Sequence, residues 1–154
     1  MKIDVLTLFP SMYDNFINES IIKRAIEKKQ VDDYPFGGGG GMVLMCDPIF
    51  RAIDALKKEN TLVVMMTPSG KVYKQSIAYN LSKHKHIIIL CGHYEGFDER
   101  IKTIVDLELS IGDYILTGGE LPSMVVMDSI IRLVDNVISS ESLESESFDN
   151  NLLD

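Results

Sequence analysis

Ser110-Ile111-Gly112-Asp113-Tyr114-Ile115-Leu116-Thr117-Gly118-Gly119-Glu120-Leu121-Pro122 sets three glycines, two acids and a proline around a short apolar core. Glycine lets a backbone take φ > 0 or lie against a ligand. Ile111, Tyr114, Ile115 and Leu116 demand packing, which a Ser/Gly-rich linker would not. The segment is built to wrap something, and Leu121-Pro122 then opens a helix. Other candidate chemistry is easier to exclude. Gly37 to Gly41 is not followed by Gly-Lys-Ser/Thr, and Gly70-Lys71-Val72 lacks the hydroxyl, so neither is a phosphate-binding P-loop. His84 and His86 have no Cys or third ligand nearby, and no metal site is expected.

The elements that must position this loop follow from periodicity. Residues 2–9 read as a buried strand ending at Phe9-Pro10. Met12, Phe16, Ile17, Ile21, Ile22, Ala25 and Ile26 recur at helical spacing and predict one amphipathic helix that ends near Lys28-Lys29. A glycine-rich loop follows, with Asp32, Asp33 and Tyr34 near its base. Asp47-Pro48 caps a second helix carrying Ile49, Ile53 and Leu56. Strands are expected over 61–66, 86–90 and 105–109, and helices over 74–82, 97–103 and 121–134. Continuous apolar strands alternating with helices predict an α/β fold, a mostly parallel sheet with helices on both faces. Segments starting at Thr67, Cys91 and Ser110 each follow a predicted strand, so one crevice at the carboxyl ends can hold all three.

Four motifs in order resemble the bacterial tRNA (guanine-N1)-methyltransferases, a family of the SPOUT class. They are Val31-Asp32-Asp33-Tyr34-Pro35-Phe36 with Gly37 to Gly41 and Met42, then Thr67-Pro68-Ser69-Gly70, then Cys91-Gly92-His93-Tyr94-Glu95-Gly96-Phe97-Asp98-Glu99-Arg100, and lastly the loop from Ser110. The resemblance implies a C-terminal trefoil knot and methyl transfer from S-adenosylmethionine, leaving S-adenosylhomocysteine, to guanine N1 of the tRNA guanosine 3′ of the anticodon. It implies that main-chain groups of Ile111, Gly112, Asp113, Tyr114, Ile115 and Leu116, and of Met66 and Thr67, read the adenosine. Pro68, Gly70, Gly92, Tyr94, Gly118, Gly119 and Pro122 would shape the pocket, so a bulky side chain at Gly119 is expected to fill it. Glu95 and Asp113 would be cofactor or substrate contacts, though each is equally suited to cap a helix or turn. By the same resemblance Arg132 is catalytic, while an arginine on a helix is otherwise more often a surface residue. The family's general-base aspartate falls on Glu146, with Asp149 as the alternative carboxylate. The active site is implied to be shared across a homodimer.

Proton removal from N1, a weak acid, has to be coupled to methylation or helped by stabilising charge on O6. Neither a metal nor a covalent intermediate is chemically necessary. Two rival readings are another SPOUT-class RNA methyltransferase and a non-catalytic S-adenosylmethionine- or nucleotide-binding module.

With 154 residues and 45% hydrophobic content, one sizeable core is affordable. No apolar run approaches a membrane span and no signal peptide is visible, so a cytoplasmic protein is expected. Cys46 and Cys91, far apart, read as reduced thiols. The net charge of −8 argues against a nucleic-acid partner until its distribution is considered. Six acids and no base follow Arg132, which leaves 17 acids against 15 bases, or −2, over residues 1–132. The expected organisation is a cofactor-binding catalytic domain over 1–134, then an acidic, serine-rich flexible linker over 135–154 that begins a C-terminal region whose helical domain is absent. The resemblance also implies a strand and basic loop near Lys29-Gln30, on the order of twenty residues. Omission of those residues from the written chain is the favoured reading, since losing a parallel strand would expose a sheet edge.

Overall fold

The computed structural model describes residues 1–27, 46–93 and 97–139, and the backbone alone of 32–37. The strands are β1 (Lys2–Thr7), β2 (Asp32–Gly37), β3 (Thr61–Val72), β4 (His86–Cys91) and β5 (Leu107–Ser110). They form one sheet in the order β2-β1-β4-β3-β5, every pair parallel. The helices are α1 (Asp14–Asn18), α2 (Ser20–Glu27), α3 (Cys46–Leu56), α4 (Gln75–Ser82) and α5 (Glu120–Ile131).

β4, at the centre, is buried at all six positions, as the run His86-Ile87-Ile88-Ile89-Leu90-Cys91 requires of a strand covered on both faces. Its alternate residues divide the core. Ile87, Ile89 and Cys91 pack with Tyr13 and with residues of α2, α4 and α5, among them Ile22, Leu81 and Val126. Ile88 and Leu90 pack on the opposite face with Ile49 and Ile53 of α3 and Ile101 of a 3-10 turn over Glu99–Ile104. The expected α/β architecture is the observed one.

Several local expectations are corrected. The single helix after Pro10 is a 3-10 turn over Pro10–Tyr13 followed by α1 and α2, broken where Glu19 is extended and Ser20 takes φ +53°. Asn18 Nδ2 donates to the Asp14 carbonyl at 2.6 Å, a side-chain bond that competes with continuation of the helix. The base of the glycine-rich segment expected after α2, Asp32–Gly37, is a strand beside β1, and Gly38 to Gly41 lie outside the described residues. Residues 28–31, where the omission was expected, lie outside the described residues. Pro35 is tolerated in β2 because that strand is an edge of the sheet. β3 does not end at Met66. It bulges and returns, with Lys71 and Val72 pairing to Leu109 and Ser110. α5 ends at Ile131 rather than 134.

At the amino ends of the strands lies a buried polar chain. Lys58 N–H donates to Thr61 Oγ1 (2.8 Å), which meets His86 Nδ1 (2.7 Å), and His86 Nε2 meets Asp4 Oδ2 (2.7 Å). Lys2 Nζ reaches the same carboxylate oxygen at 2.6 Å. This chain locks β1, β4 and β3 in register from below. Asp4→Ala should cost about 3 kcal/mol in urea unfolding, since it strands two buried or half-buried donors; an unchanged midpoint would show the chain to be dispensable.

Candidate functional site

At the opposite, carboxyl end of the sheet, the segments leaving β3, β4 and β5 enclose a cleft of about 360 Å³. Its position is the one expected of a ligand site in a parallel α/β sheet. Each wall has a local cause. On the β3 side, the bulge carries Thr67, Pro68 and Ser69 outward, with the two hydroxyls 3.1 Å apart. Gly70 is where the chain returns. A Cβ there would lie 2.6 Å from Leu109 N, so only glycine lets β3 come back onto β5.

On the β5 side, Ser110 Oγ donates to the Gly112 carbonyl (3.0 Å) and accepts from Gly112 N–H (3.2 Å), making a tight turn with Gly112 at φ +154°. On the β4 side, Gly92 and His93 meet the end of the β5 loop. Gly119 N–H donates to the Gly92 carbonyl at 2.8 Å, and His93 bridges Gly118 antiparallel. Phe9 packs edge-on to the His93 ring, with centroids 4.7 Å apart.

Of the residues proposed from sequence, Met66, Thr67, Pro68, Gly92, Ile111, Gly112, Tyr114, Ile115, Leu116, Gly118, Gly119 and Pro122 line this cleft. Gly70 and Asp113 do not. Gly70 faces β5, and Asp113 is exposed. Tyr94, Glu95, Glu146 and Asp149 lie outside the described residues. Arg132, half-buried, is the C-cap of α5. Pro122, in the first turn of that helix, lines the cleft, so at 1.5 Å per residue Arg132 stands about 15 Å away along the axis. Gly119 also differs from expectation. A Cβ there would meet Cys91 Cα at 2.8 Å, so the glycine serves close backbone packing and a side chain would strike β4 before filling the cleft.

Lining residues that sequence reasoning passed over include Ser69, His93, Phe97, Glu99, Lys102 and Thr117. His93, Phe97 and Glu99 sat within a motif already singled out, but Lys102 belongs to a turn with no glycine signal. Glu99 and Lys102 pair at 2.9 Å at the rim, and Glu99 raises the lysine's pKa.

Beneath the cleft floor lies a second buried polar group. Glu120, 1% exposed, accepts the Thr7 hydroxyl on Oε1 at 2.7 Å. Ser123 Oγ donates to the Glu120 carbonyl (2.6 Å), and the Tyr13 hydroxyl lies 2.5 Å from Ser123 Oγ and 3.3 Å from Cys91 Sγ. Burial pushes the Cys91 thiol up to about 12, so it is protonated and no nucleophile near neutral pH. The cleft thus offers apolar walls and main-chain edges, suited to orienting a ligand rather than to covalent catalysis.

The family model described as "tRNA (Guanine-1)-methyltransferase TrmD" matches residues 27–154. A tRNA (guanine-N(1)-)-methyltransferase of Ureaplasma urealyticum is 54% identical over 173 aligned positions, covering 100% of this chain and 76% of that protein. Since 173 positions exceed 154 residues, at least 19 positions of that relative have no counterpart here. The protein of the same name from Dictyoglomus turgidum is 46% identical, over 96% of this chain and 68% of its own length. Among solved structures, the tRNA (m1G37) methyltransferase from Aquifex aeolicus superposes with TM-score 0.80 at 37% identity, over 91% of this chain and 72% of that one.

The buried thiol has a measurable consequence. Once unfolded, Cys91 ionises near its ordinary value of 9.0, while the fold keeps it neutral to about 12. Its contribution to stability is therefore whole below pH 9 and is lost as pH rises toward 12, at up to about 1.4 kcal/mol per pH unit. Urea titrations at about pH 8 and 10 should show this fall in the wild type and a flatter profile in Cys91→Ala; identical slopes would remove Cys91 as the cause.

Proposed function

Because this chain belongs to the tRNA (guanine-1)-methyltransferase family, we propose that it methylates guanine N1 in tRNA, at the guanosine 3′ of the anticodon, with S-adenosylmethionine as donor. The convergence of residues 66–69, 92–93 and 109–119 on one cleft carries this reading. An adenosyl group has apolar faces and a polar edge. Met66, Leu109, Ile111 and Leu116 offer the first an apolar slot, and the main chain of the surrounding turns offers the second donors and acceptors. When bound, the cofactor supplies an electrophilic methyl carbon on a sulfonium. The chain's part is to align donor and acceptor, which is worth much of the rate, and to manage the guanine's proton. Residues 1–134 form the catalytic domain in this reading, and the cytoplasm is where its tRNA substrate would be met.

Arg132 stabilises the charge that grows on guanine O6, and Glu146 takes the N1 proton, Asp149 being the alternative carboxylate. Within one protomer, Arg132 is at the wrong end of α5 for this task. A homodimer supplies the remedy, with Arg132 of one subunit serving the cleft of its partner. α5 is apolar on nearly every side, yet Leu121 is 55% and Val125 50% exposed, one turn apart, and Ile115 beside the cleft is 81% exposed. This is a face for a second copy to cover.

Two experiments test these assignments. In single-turnover methylation at saturating tRNA, Arg132→Ala and Glu146→Gln should each slow the chemical step roughly a hundredfold, while Glu146→Asp keeps substantial activity. A fully active Glu146→Gln would move the base to Asp149 or to no protein carboxylate at all. In sedimentation velocity the wild type should run as a dimer and Leu121→Glu/Val125→Glu as a monomer; a charged pair that leaves the dimer intact would reject α5 as the interface.

A further inference from the structure

The Glu120 carboxylate is used neither by the methyl-transfer chemistry nor by the pairing of subunits proposed above. It is the most buried acidic side chain near the cleft, and the Thr7 hydroxyl is its side-chain hydrogen-bond donor. The ion pairs of Asp4, Asp98 and Glu99 do not include Glu120. A carboxylate withdrawn from water without a cation is costly. Its place in the first turn of α5 offsets part of that cost through the helix dipole and no more.

Its location adds a second observation. A Cβ on Gly118, a residue of the cleft wall, would run into the Glu120 carboxylate and the His93 ring. The acidic group therefore lies directly behind the cleft lining, separated from any ligand by little more than a glycine. The charged side chains that line the cleft among the described residues, Glu99 and Lys102, pair with each other at the rim. Among the described residues, the Glu120 carboxylate, behind a wall it shares with the His93 ring, is thus the buried acidic group that biases the field inside the cleft.

We propose that Glu120 is the fixed counter-charge of the cofactor cleft, making it select the cationic sulfonium S-adenosylmethionine over the neutral thioether left after methyl transfer. The inference rests on the cofactor reading above. Loss of the methyl group removes the sulfonium's positive charge, so the attraction present before reaction vanishes after it, and the spent cofactor is released more readily. Because that charge is already dispersing in the transition state, Glu120 sets selectivity and turnover and is not itself a catalytic residue. Thr7 anchors the carboxylate and is a positioning residue.

Calorimetry on wild type and Glu120→Gln separates the possibilities, using S-adenosylmethionine, sinefungin, which carries an ammonium in place of the methylsulfonium, and S-adenosylhomocysteine. Glutamine keeps the shape and an oxygen to accept the Thr7 hydroxyl. Affinity for the two cationic ligands should fall about tenfold, with the neutral one changed less than about twofold. An equal loss for all three, or no loss for the cations, overturns the proposal. A second measurement needs no variant: the wild type should bind sinefungin several-fold more tightly than S-adenosylhomocysteine, and a ratio of one overturns the proposal as well. Failure of the wild type to bind any of the three would instead refute the cofactor reading on which it rests.

Discussion

The contact between Gly119 and the end of β4 is the constraint on which the rest of the site depends. Its 2.8 Å hydrogen bond to the Gly92 carbonyl and the bare Cα facing Cys91 bring the amino end of α5 against the central strand. Three consequences follow from that one approach. The loop from Ser110 must arch over the cleft, Glu120 must go inside, and Tyr13 must bridge from the 3-10 turn to Ser123 and Cys91. Backbone proximity at a single glycine thus organises segments separated by more than a hundred residues in sequence.

Much of this was legible in the sequence, for a physical reason. β4 and the first half of β3 are continuous apolar runs that only a doubly covered parallel strand accommodates, and the glycine-marked segments after them had to lie together at one end of the sheet. What misled was local chemistry that the pattern does not encode. The periodicity from Met12 to Ile26 is continuous, yet Asn18 turns its side chain back on Asp14 and breaks the helix. Thr67-Pro68-Ser69-Gly70 reads as a loop because no propensity scale anticipates a strand that bulges and resumes its ladder. Lys102 and the buried role of Glu120 escaped notice because charged residues look alike in sequence whether they face water or the floor of a cleft.

Arg132 illustrates the limit of a single chain as the unit of explanation. Its identity as a cation is plain, but its distance from the cleft is set by the length of α5, a rigid rod of twelve residues. In the dimeric reading proposed above, a residue beyond its own subunit's cleft would serve that of its partner, and the apolar side chains exposed along the same helix fit that reading.

The edges of the sheet bear on how that assembly can occur. β2, at one end of the order, contains Pro35, which has no N–H to donate, and begins with the acids Asp32 and Asp33. β5, at the other, is only four residues long. Neither edge is a good template for strand addition. Strand addition at either edge is therefore disfavoured, which leaves the helices and the loops at the carboxyl ends of the strands, the segments that also build the cleft, as the better-suited association surfaces among the described residues.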